Sequence, residues 1–547
     1  MLGMKFKLSA LLIVIAGLQG CGGGGGGSEA PVSGGSGGNS GSGNTAPTWT
    51  FGSFAPEADF KDYCANPRTG IDPFSGAAYP DKAGTAMHEK MWVRSWNNRT
   101  YLWYREVTDV NPANYDVINY FLSQKTNAVT DSGSAKDNFH FSEDTASYKQ
   151  RTQSGVSFDY GINWAVGSSR PPRTFDIAYL EPSSPAVTAG LMRGYRLLTV
   201  NGVDFVNDNT AAGVAAINAA LFPTAVGQSH TFKFRDNAGA ERTVTMTSAN
   251  VTTVPVMNVQ VLNAGSKKVG YMQFNTHIAN AQPQLINAVQ QFKDAAVNEL
   301  VVDLRYNGGG LLALASQLAY MVSGPNIIQD RYFEQMKFND KYPSRDPVTG
   351  DTLSPTGFYN RGIDYTAGVF TNQALPNLNL SRIFVLTTDN TCSASEAFIN
   401  GLRGIDVEVI QIGGQTCGKP YGFYPADNCG TTYFTIQFTG VNAKGFGEYA
   451  DGFVPKPTPV FAADVKGCPV KDDLTRALGN AEEGMLKTAL HFATNNSCPV
   501  VTQTASDEIS AESAVRQSAE TEGLAVKDPR EQGLLLQNKI RQPIIGG

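Results

Sequence analysis

The chain has no cluster of positive charge of the kind that nucleic acids need. Its 547 residues carry a formal net charge of −6, and the 43 lysines and arginines are scattered rather than gathered into a run. A phosphate backbone is bound by clustered Lys and Arg side chains, so nucleic acid is excluded as an expected partner. The length suits roughly two to four domains rather than one core.

Histidine is also scarce. The sequence contains no H-E-x-x-H or C-x-x-C motif, and its five histidines are spread along the chain at His88, His140, His230, His277 and His491. Without clustered ligands of this kind, we predict no metal site and no cofactor. We expect His277, just after the predicted strand GYMQFNT, to be a secondary contact or a core residue rather than a catalytic base.

A complete phosphate-binding loop is missing as well. GGQTCGK, residues 413–419, matches G-x-x-x-x-G-K, but Pro420 stands where Ser or Thr would hold magnesium. The following residues, YGFYPADN, are unsuited to the helix whose N-terminus receives the phosphate. Nucleotide binding is therefore not predicted.

The first 20 residues have the pattern of an export signal. Lys5 and Lys7 precede the apolar run LSALLIVIAGL, which is about half as long as the ~20 residues of a membrane-spanning helix. Leu-Gln-Gly-Cys at 18–21 resembles a bacterial lipobox. This resemblance implies cleavage before Cys21, acylation of its thiol and a lipid-anchored protein of the bacterial cell envelope, at the outer membrane on its periplasmic side or at the surface. Ordinary secretion with a chance cysteine is the alternative.

The chain has seven cysteines, and the six other than Cys21 are an even number, which suits disulfides in an oxidising compartment. Cys417 and Cys429 bracket a turn-rich segment and are the first predicted pair, and Cys468 with Cys498 is the second. For Cys392, a disulfide or a buried thiol is expected rather than a role as nucleophile.

Changes in composition along the chain predict its domain organisation. Apolar and aromatic residues at helical spacing come first, then short alternating strands, and then apolar strand-length runs separated by helices, which is the pattern of a parallel α/β sheet. The predicted segments are a signal peptide at 1–20, a Gly/Ser-rich tether at 21–47, a small helical domain at 48–155, a β-rich module at 156–255, an α/β catalytic domain at 256–465 and a partly disordered C-terminal segment at 466–547.

The β-rich module resembles a PDZ domain. SSPAVTAGLMRGYRLLTVNGVDF, residues 183–205, follows the PDZ pattern, except that Tyr195 replaces the usual Asp after Gly194. By this resemblance Gly161 and Ile162 lie in the loop that binds a C-terminal carboxylate. The physical basis is strand addition, in which a peptide pairs with an open sheet edge while loop amides hold its terminus. A β-module that only spaces its neighbours is the alternative.

Three loops with chemically useful residues follow predicted parallel strands, and parallel strands end at one edge of a sheet. They contain the glycines at 308–310, Ser393 and Lys419. Ser393 begins a helix, where unpaired N–H groups favour an anion. Lys419 serves as a base only when its pKa falls from ~10.4 to ~7–8 through burial. Ser-Ala-Ser-Glu at 393–396 is also a capping box, a structural alternative that needs no catalysis.

The order of motifs resembles the carboxy-terminal processing proteases, also called tail-specific proteases. After the PDZ-like module come GYMQF, DLRYNGGG, TCSASEAF, GGQTCGKP and GEYADGFVPKP. The resemblance implies a crotonase-like catalytic core with Ser393 as nucleophile, Lys419 as general base, and the amides of Gly309 and Ala394 as the oxyanion hole. Pro420 and Phe423 replace the Gly and Gln that the family usually has after the lysine, so the residue that orients Lys419 is not identified.

The sequence thus predicts a cell-envelope serine endopeptidase that binds the C-terminal tails of protein substrates and forms an acyl-enzyme on Ser393. The alternative is a membrane-tethered scaffold that binds peptide tails without cleaving them.

Overall fold

The computed structural model describes residues 45–130, 132–500, 523–527 and 535–536. The predicted signal peptide, Cys21 and most of the tether lie outside these residues. Every element described below belongs to one compact unit, Gly43–Gly547. Among the described residues no helix is both long and apolar enough to cross a bilayer.

The N-terminal segment is a small, mainly helical layer with an aromatic core. Its elements are β1 (Tyr63–Cys64), β2 (Lys82–Ala83), α1 (Ala86–Thr100), α2 (Val117–Leu122), β3 (Phe141–Asp144) and α3 (Thr145–Lys149). Trp92 and Trp96, one turn apart on α1, stack with ring centroids 5.2 Å apart, and both are buried. The aromatic residues of this segment therefore form a core, as predicted, because they pack against each other and against Tyr433 from the distant C-terminal half.

The next segment is an antiparallel sheet with one long helix. Its elements are β4 (Val156–Asp159), β5 (Ile162–Ser168), β6 (Thr174–Leu180), α4 (Pro185–Thr188), β7 (Arg196–Val200), β8 (Val203–Asp204), α5 (Ala211–Leu221), β9 (Ser229–Arg235), β10 (Glu241–Thr247) and β11 (Ala249–Thr252). The strand order is β10-β9-β7-β6-β5, so β5 lies at an edge. The Thr210 hydroxyl caps helix α5 by accepting the N–H of Gly213 at 3.0 Å. We refer to this segment as the β-rich module.

The C-terminal half contains a seven-stranded sheet in the order β12-β13-β14-β19-β20-β26-β25. The elements of this half are β12 (Val256–Ala264), β13 (Lys267–Phe274), α6 (Ala281–Asp294), β14 (Glu299–Asp303), β15 (Gly310–Leu311), α7 (Leu312–Ile327), β16 (Gln335–Lys337), β17 (Arg361–Asp364), β18 (Val369–Ala374), β19 (Arg382–Thr387), α8 (Ala394–Gly404), β20 (Glu408–Gly413), β21 (Tyr421–Gly422), β22 (Ala426–Asn428), β23 (Thr431–Phe434), β24 (Phe438–Val441), β25 (Val454–Lys456), β26 (Asp464–Pro469), α9 (Gly484–Asn495) and β27 (Leu535–Leu536).

The four apolar runs predicted as parallel strands are β13, β14, β19 and β20, and they are neighbours with parallel pairing. Strand β12 is antiparallel to β13, and β26 adds a further parallel strand next to β20. The predicted domain boundary between 465 and 466 falls inside β26, so the sheet continues past it.

Helices cover both faces of this sheet. Along β14, Leu300 and Val302 face the core formed with α6, α7 and α8, whereas Val301 faces the smaller core formed with α9. Successive side chains of a strand point to opposite faces, so burial on both faces requires an uninterrupted apolar run. The fold is therefore a three-layer mixed α/β structure.

Three disulfides join the described cysteines: Cys64–Cys429, Cys392–Cys417 and Cys468–Cys498. The predicted Cys468–Cys498 pair is confirmed, and the predicted Cys417–Cys429 pair is wrong. The hairpin β22–β23 pairs with β3, which carries Cys429 away from Cys417 and towards the N-terminal segment. Cys392, as expected, is in a disulfide.

Candidate active site

The three predicted loops meet at the carboxyl edge of the parallel sheet. Gly309 follows β14 and has a φ of +101°. A Cβ atom placed on Gly309 would lie 2.8 Å from Cβ of Ser393 and 2.9 Å from the amide nitrogen of Ala394. Only glycine allows this approach at such a φ. The glycine loop therefore packs directly against the start of α8.

Ser393 lies at the N-cap of α8 in an unusual backbone conformation. Its φ is +66° and its ψ is −112°, a region that non-glycine residues rarely occupy and that stores strain. The residue is fully buried, and its hydroxyl has no hydrogen-bond partner among the described residues. Of the predicted capping box, the Glu396 half is formed, in which Glu396 accepts the Ser393 N–H at 2.8 Å, while the Ser393 hydroxyl makes no cap hydrogen bond. The hydroxyl is thus left available for chemistry.

Glu396 connects the serine loop to the lysine loop. Its Oε2 accepts the N–H groups of both Ser393 and Lys419, each at 2.8 Å. Its Oε1 accepts the N–H of Gly418 at 2.8 Å and the hydroxyl of Thr416 at 2.6 Å. Burial raises the pKa of Glu396, and these donors oppose that effect by stabilising the carboxylate. One buried carboxylate therefore positions both predicted catalytic residues.

Lys419 is buried among aromatic rings. It is 1% exposed, and its Nζ lies 4.5 Å from the ring centroid of Phe139 and 4.4 Å from that of Phe423. Burial lowers the pKa of Lys419 to about 7, while the negative charges of Asp137 and Glu396 act in the opposite direction. A large share of the lysine is therefore neutral near pH 7. Phe423, which departs from the family pattern, contributes one wall of this pocket.

The N-terminal segment supplies part of the lysine pocket, which the sequence did not reveal. Asp137 is 1% exposed and accepts the hydroxyl of Tyr101 at 2.7 Å and the N–H of Phe139 at 2.9 Å. Asp137 and Glu396 are therefore two acids that raise the pKa of Lys419 against the effect of burial. No local pattern marks Asp137, because it reaches the lysine only through tertiary packing of a segment more than 280 positions away.

His277 belongs to a buried network with the glycine loop. Its Nδ1 lies 3.0 Å from Oδ1 of Asn307, which also accepts the Gly309 N–H at 3.0 Å. Burial lowers the pKa of His277 to about 4, so the ring is neutral at pH 7. The Gly309 amide, one of the two predicted oxyanion donors, is thus hydrogen-bonded to Asn307 in this structure. Ala394, the other, is the first residue of α8, where an N–H has no intrahelical acceptor.

The disulfide Cys392–Cys417 joins the same two loops. Cys392 directly precedes Ser393, and Cys417 lies two positions before Lys419. Because its sulfur is bonded, Cys392 is not a thiolate nucleophile. The two loops are therefore held together by a covalent bond as well as by Glu396.

The predicted tail-binding residues lie apart from these loops, in the β-rich module. Gly161 precedes β5 with a φ of +79°, and Ile162 is the first residue of that strand. The carboxylate of Asp159 accepts the N–H groups of Tyr160 and Gly161, the latter at 2.9 Å. The loop is therefore already hydrogen-bonded to an internal carboxylate. The predicted lipidation site, Cys21, lies outside the described residues.

Comparison with known proteins identifies relatives of this arrangement. Residues 268–422 match the sequence profile of Peptidase family S41. The chain is 30% identical over 166 residues to a carboxyl-terminal-processing protease of Picosynechococcus, covering 30% of this chain and 37% of that protein. It is 26% identical over 224 residues to the chloroplastic carboxyl-terminal-processing peptidase 2 of Arabidopsis thaliana, covering 40% and 42% of the two chains. The alignments thus span about two fifths of these relatives.

A solved structure extends the likeness in fold. A Bacteroides fragilis protein described as an S41 protease superposes with a TM-score of 0.54 at 22% identity, covering 76% of this chain and 97% of that one. At this level of identity the likeness concerns the fold.

Proposed function

We propose that this chain is a serine-type endopeptidase of peptidase family S41, because residues 268–422 match that family and the chain is similar to carboxyl-terminal-processing proteases. The observation that carries the proposal is the buried carboxylate of Glu396, which hydrogen-bonds to both Ser393 and Lys419. A serine and a lysine so positioned, with the lysine buried and partly neutral, have the properties of a nucleophile and its base.

In the proposed reaction the Ser393 hydroxyl attacks a substrate carbonyl while the neutral Lys419 amine accepts its proton. The strained backbone and unpartnered hydroxyl of Ser393 support its role as nucleophile. Negative charge then develops on the carbonyl oxygen, and the amides of Ala394 and Gly309 are the proposed donors, each worth about 3 kcal/mol. Lys419 next protonates the leaving amine, and water hydrolyses the acyl-enzyme with the lysine again as base. For Gly309 to take part, its N–H must leave Asn307 Oδ1.

The remaining proposals concern how substrates reach this site. We assign residues 256–465 and the rest of β26 to a crotonase-like catalytic core, residues 156–255 to a PDZ-like module that binds substrate tails, and residues 48–155 to an N-terminal helical domain. The position of β5 at the end of the strand order supports strand addition by a peptide. Acylation of Cys21 and the tether at 21–47 would hold the enzyme at a membrane of the bacterial cell envelope.

The decisive experiment is cleavage of an unfolded protein by Ser393→Ala and Lys419→Ala chains. Both variants are expected to lose activity and to keep the unfolding temperature of the wild type. Lys444→Ala is a matched control, because this lysine pairs with Asp406 on the surface. Cleavage at the wild-type rate by the Ser393→Ala chain would eliminate the mechanism.

A second candidate function is a tethered protein that binds peptide tails without cleaving them. It is favoured by Pro420 and Phe423, which depart from the family pattern, and by the engagement of the Gly309 amide with Asn307. A fluorophosphonate probe distinguishes the two functions. An adduct on Ser393 supports the peptidase, whereas no adduct with intact tail binding supports the scaffold.

A further inference from the structure

Residues 523–527 lie on the β-rich module, between the end of β5 and helix α5. Val526 is 2% exposed and belongs to the apolar cluster of the module, together with Ile162 and Val166 of β5 and Ile217 of α5. Leu524, two positions earlier, is 45% exposed. One side chain of the segment therefore enters the core of the module while another faces solvent.

Main-chain hydrogen bonds hold this segment on both sides. The Val526 N–H donates to the carbonyl of Ser169, directly after β5, at 3.0 Å. The Lys527 N–H donates to Oδ1 of Asn218 in α5 at 2.8 Å. Bonds of this kind recognise an extended polypeptide main chain. The groove between the end of β5, at Ser169, and helix α5 therefore holds a stretch of main chain.

A buried arginine completes the attachment. Arg173 is 1% exposed, and its Nη1 donates to the carbonyls of Phe205 at 2.9 Å and Asp208 at 2.7 Å. Its Nη2 donates to the carbonyl of Leu524 at 2.7 Å, and the Leu524 N–H donates to Oδ1 of Asn209 at 2.6 Å. A buried charged group is costly when it loses a partner. The segment thus satisfies a hydrogen-bonding need of the module itself.

The loop before β5 suits an internal segment better than a chain terminus. The Asp159 carboxylate accepts the N–H groups of Tyr160 and Gly161, which a terminal carboxylate would otherwise bind. A ligand with a free C-terminus would bring a second negative charge to this loop. Residues 523–527 bring none, because 20 residues follow them in the sequence.

The same C-terminal region reaches the candidate active site. Strand β27, Leu535–Leu536, pairs in parallel with β15, Gly310–Leu311. Strand β15 directly follows Gly309, which packs against Ser393. Strand β27 also lies near β21, which begins two residues after Lys419. Main chain of the protein itself therefore lies beside the glycine loop and the lysine loop.

We propose that residues 523–527 and 535–536, the C-terminal strap, are an intramolecular ligand that occupies both the groove of the β-rich module and the strand edge of the active site and excludes other polypeptides from them. The inhibitory effect rests on the proposed function. A tethered segment has a high effective concentration, so modest contacts keep it bound. The upstream part of the strap lies on the β-rich module and the downstream part beside β15, next to the glycine loop. A substrate held by its terminus in the groove would have the reverse order, which favours an inhibitor over a substrate.

The test compares Val526→Asp with Ala525→Asp in the full chain. Both variants place a carboxylate in the same segment, but residue 526 is buried in the apolar cluster whereas residue 525 is exposed. An unpaired charge is costly in the cluster, so the strap should detach. We expect Val526→Asp to raise kcat/KM for fluorescein-labelled casein about tenfold, equivalent to ~1.4 kcal/mol. Ala525→Asp should change it less than about twofold, as surface substitutions usually do.

A binding measurement separates failure of the strap from failure of the peptidase proposal. In the Ser393→Ala background, a fluorescein-labelled peptide of residues 521–540 is titrated by anisotropy into chains with and without each substitution. We expect the Val526→Asp chain to bind it about tenfold more tightly than the other two, because its groove is vacated. If the corresponding chains that keep Ser393 cleave no casein, the same binding result supports the strap and refutes the peptidase.

If the peptide binds all three chains equally, or binds none of them, the proposal that the strap is an intramolecular ligand is wrong. Unchanged casein cleavage by an active Val526→Asp chain overturns its inhibitory role. If Val526→Asp lowers the unfolding temperature, Val526→Ala is used instead, because it weakens the same contact without adding a charge. It should raise casein cleavage and peptide binding in the same direction as Val526→Asp, but by a smaller factor.

Discussion

Glu396→Gln is expected to impair catalysis because Glu396 accepts four hydrogen bonds that fix the catalytic loops. Three of these come from the N–H groups of Ser393, Gly418 and Lys419, which act only as donors. The fourth comes from the hydroxyl of Thr416, which can also accept. A glutamine therefore loses the fewest hydrogen bonds when its NH₂ group points to Thr416. In that orientation the Gly418 N–H, next to Lys419, has no acceptor.

The size of the effect follows from that unpaired group. A buried N–H without a partner costs ~1–3 kcal/mol, and the surviving bonds lose the strength that the negative charge gave them. If the resulting misalignment of Lys419 raises the free energy of the transition state by ~2 kcal/mol, kcat/KM falls about thirtyfold. The substitution also removes one of the two carboxylates that raise the pKa of Lys419. The midpoint of the pH–rate profile should therefore move to lower pH.

The assay measures kcat/KM for labelled casein from pH 5 to 9, with thermal unfolding of the same samples. Glu334→Gln is the matched control, because Glu334 is equally buried but has no hydrogen bond to the serine or lysine loop among those described. The reasoning is refuted if Glu396→Gln keeps the wild-type rate and midpoint in a folded chain, or if Glu334→Gln loses as much activity.

Three further predictions follow from the same structure. Burial lowers the pKa of Lys419 to about 7, and only the neutral amine accepts a proton. Wild-type kcat/KM should therefore rise with pH around a midpoint near 7. A flat profile from pH 5 to 9 contradicts the role of Lys419 as the general base. Burial raises the pKa of Glu334 to about 8 in the folded state, so the carboxyl stays protonated there while it ionises in the unfolded chain above ~4.5. The free energy of unfolding should therefore fall by up to ~1.4 kcal/mol per pH unit as pH rises from ~4.5 to 8. Denaturant titrations should show that Glu334→Gln removes this dependence on pH. The same dependence in the wild type and in Glu334→Gln would contradict the assignment to Glu334. Replacing Cys392 and Cys417 together by alanine should lower the unfolding free energy by ~2–5 kcal/mol and reduce casein cleavage, because the disulfide joins the two catalytic loops; full activity would show that Glu396 alone suffices.

The C-terminal half of the fold could be predicted because its information is local. The runs that became β13, β14, β19 and β20 are apolar throughout, as strands buried on both faces must be. Since parallel strands end at one edge, the loops carrying Gly309, Ser393 and Lys419 could be placed together without knowing the rest of the structure. The capping box at Ser393 was also readable, because it depends on residues three positions apart.

The disulfide pairing shows where local information ends. Cys417 and Cys429 are close in sequence and are the first predicted pair, yet Cys417 bonds to Cys392 and Cys429 bonds to Cys64. Which cysteines meet depends on the path of the whole chain, and the hairpin that carries Cys429 is directed towards the N-terminal layer by its pairing with β3.

The sequence by itself therefore determined the parallel sheet, the order of the catalytic loops and the residue types at their tips. The tertiary structure alone decided that Asp137 and Phe139 complete the lysine pocket, that Glu396 joins both loops, and that residues 523–527 lie in the groove of the β-rich module. Periodicity and spacing encode which face of an element is buried, but contacts between segments hundreds of residues apart have no such signal. They arise only when the packed chain brings those surfaces together.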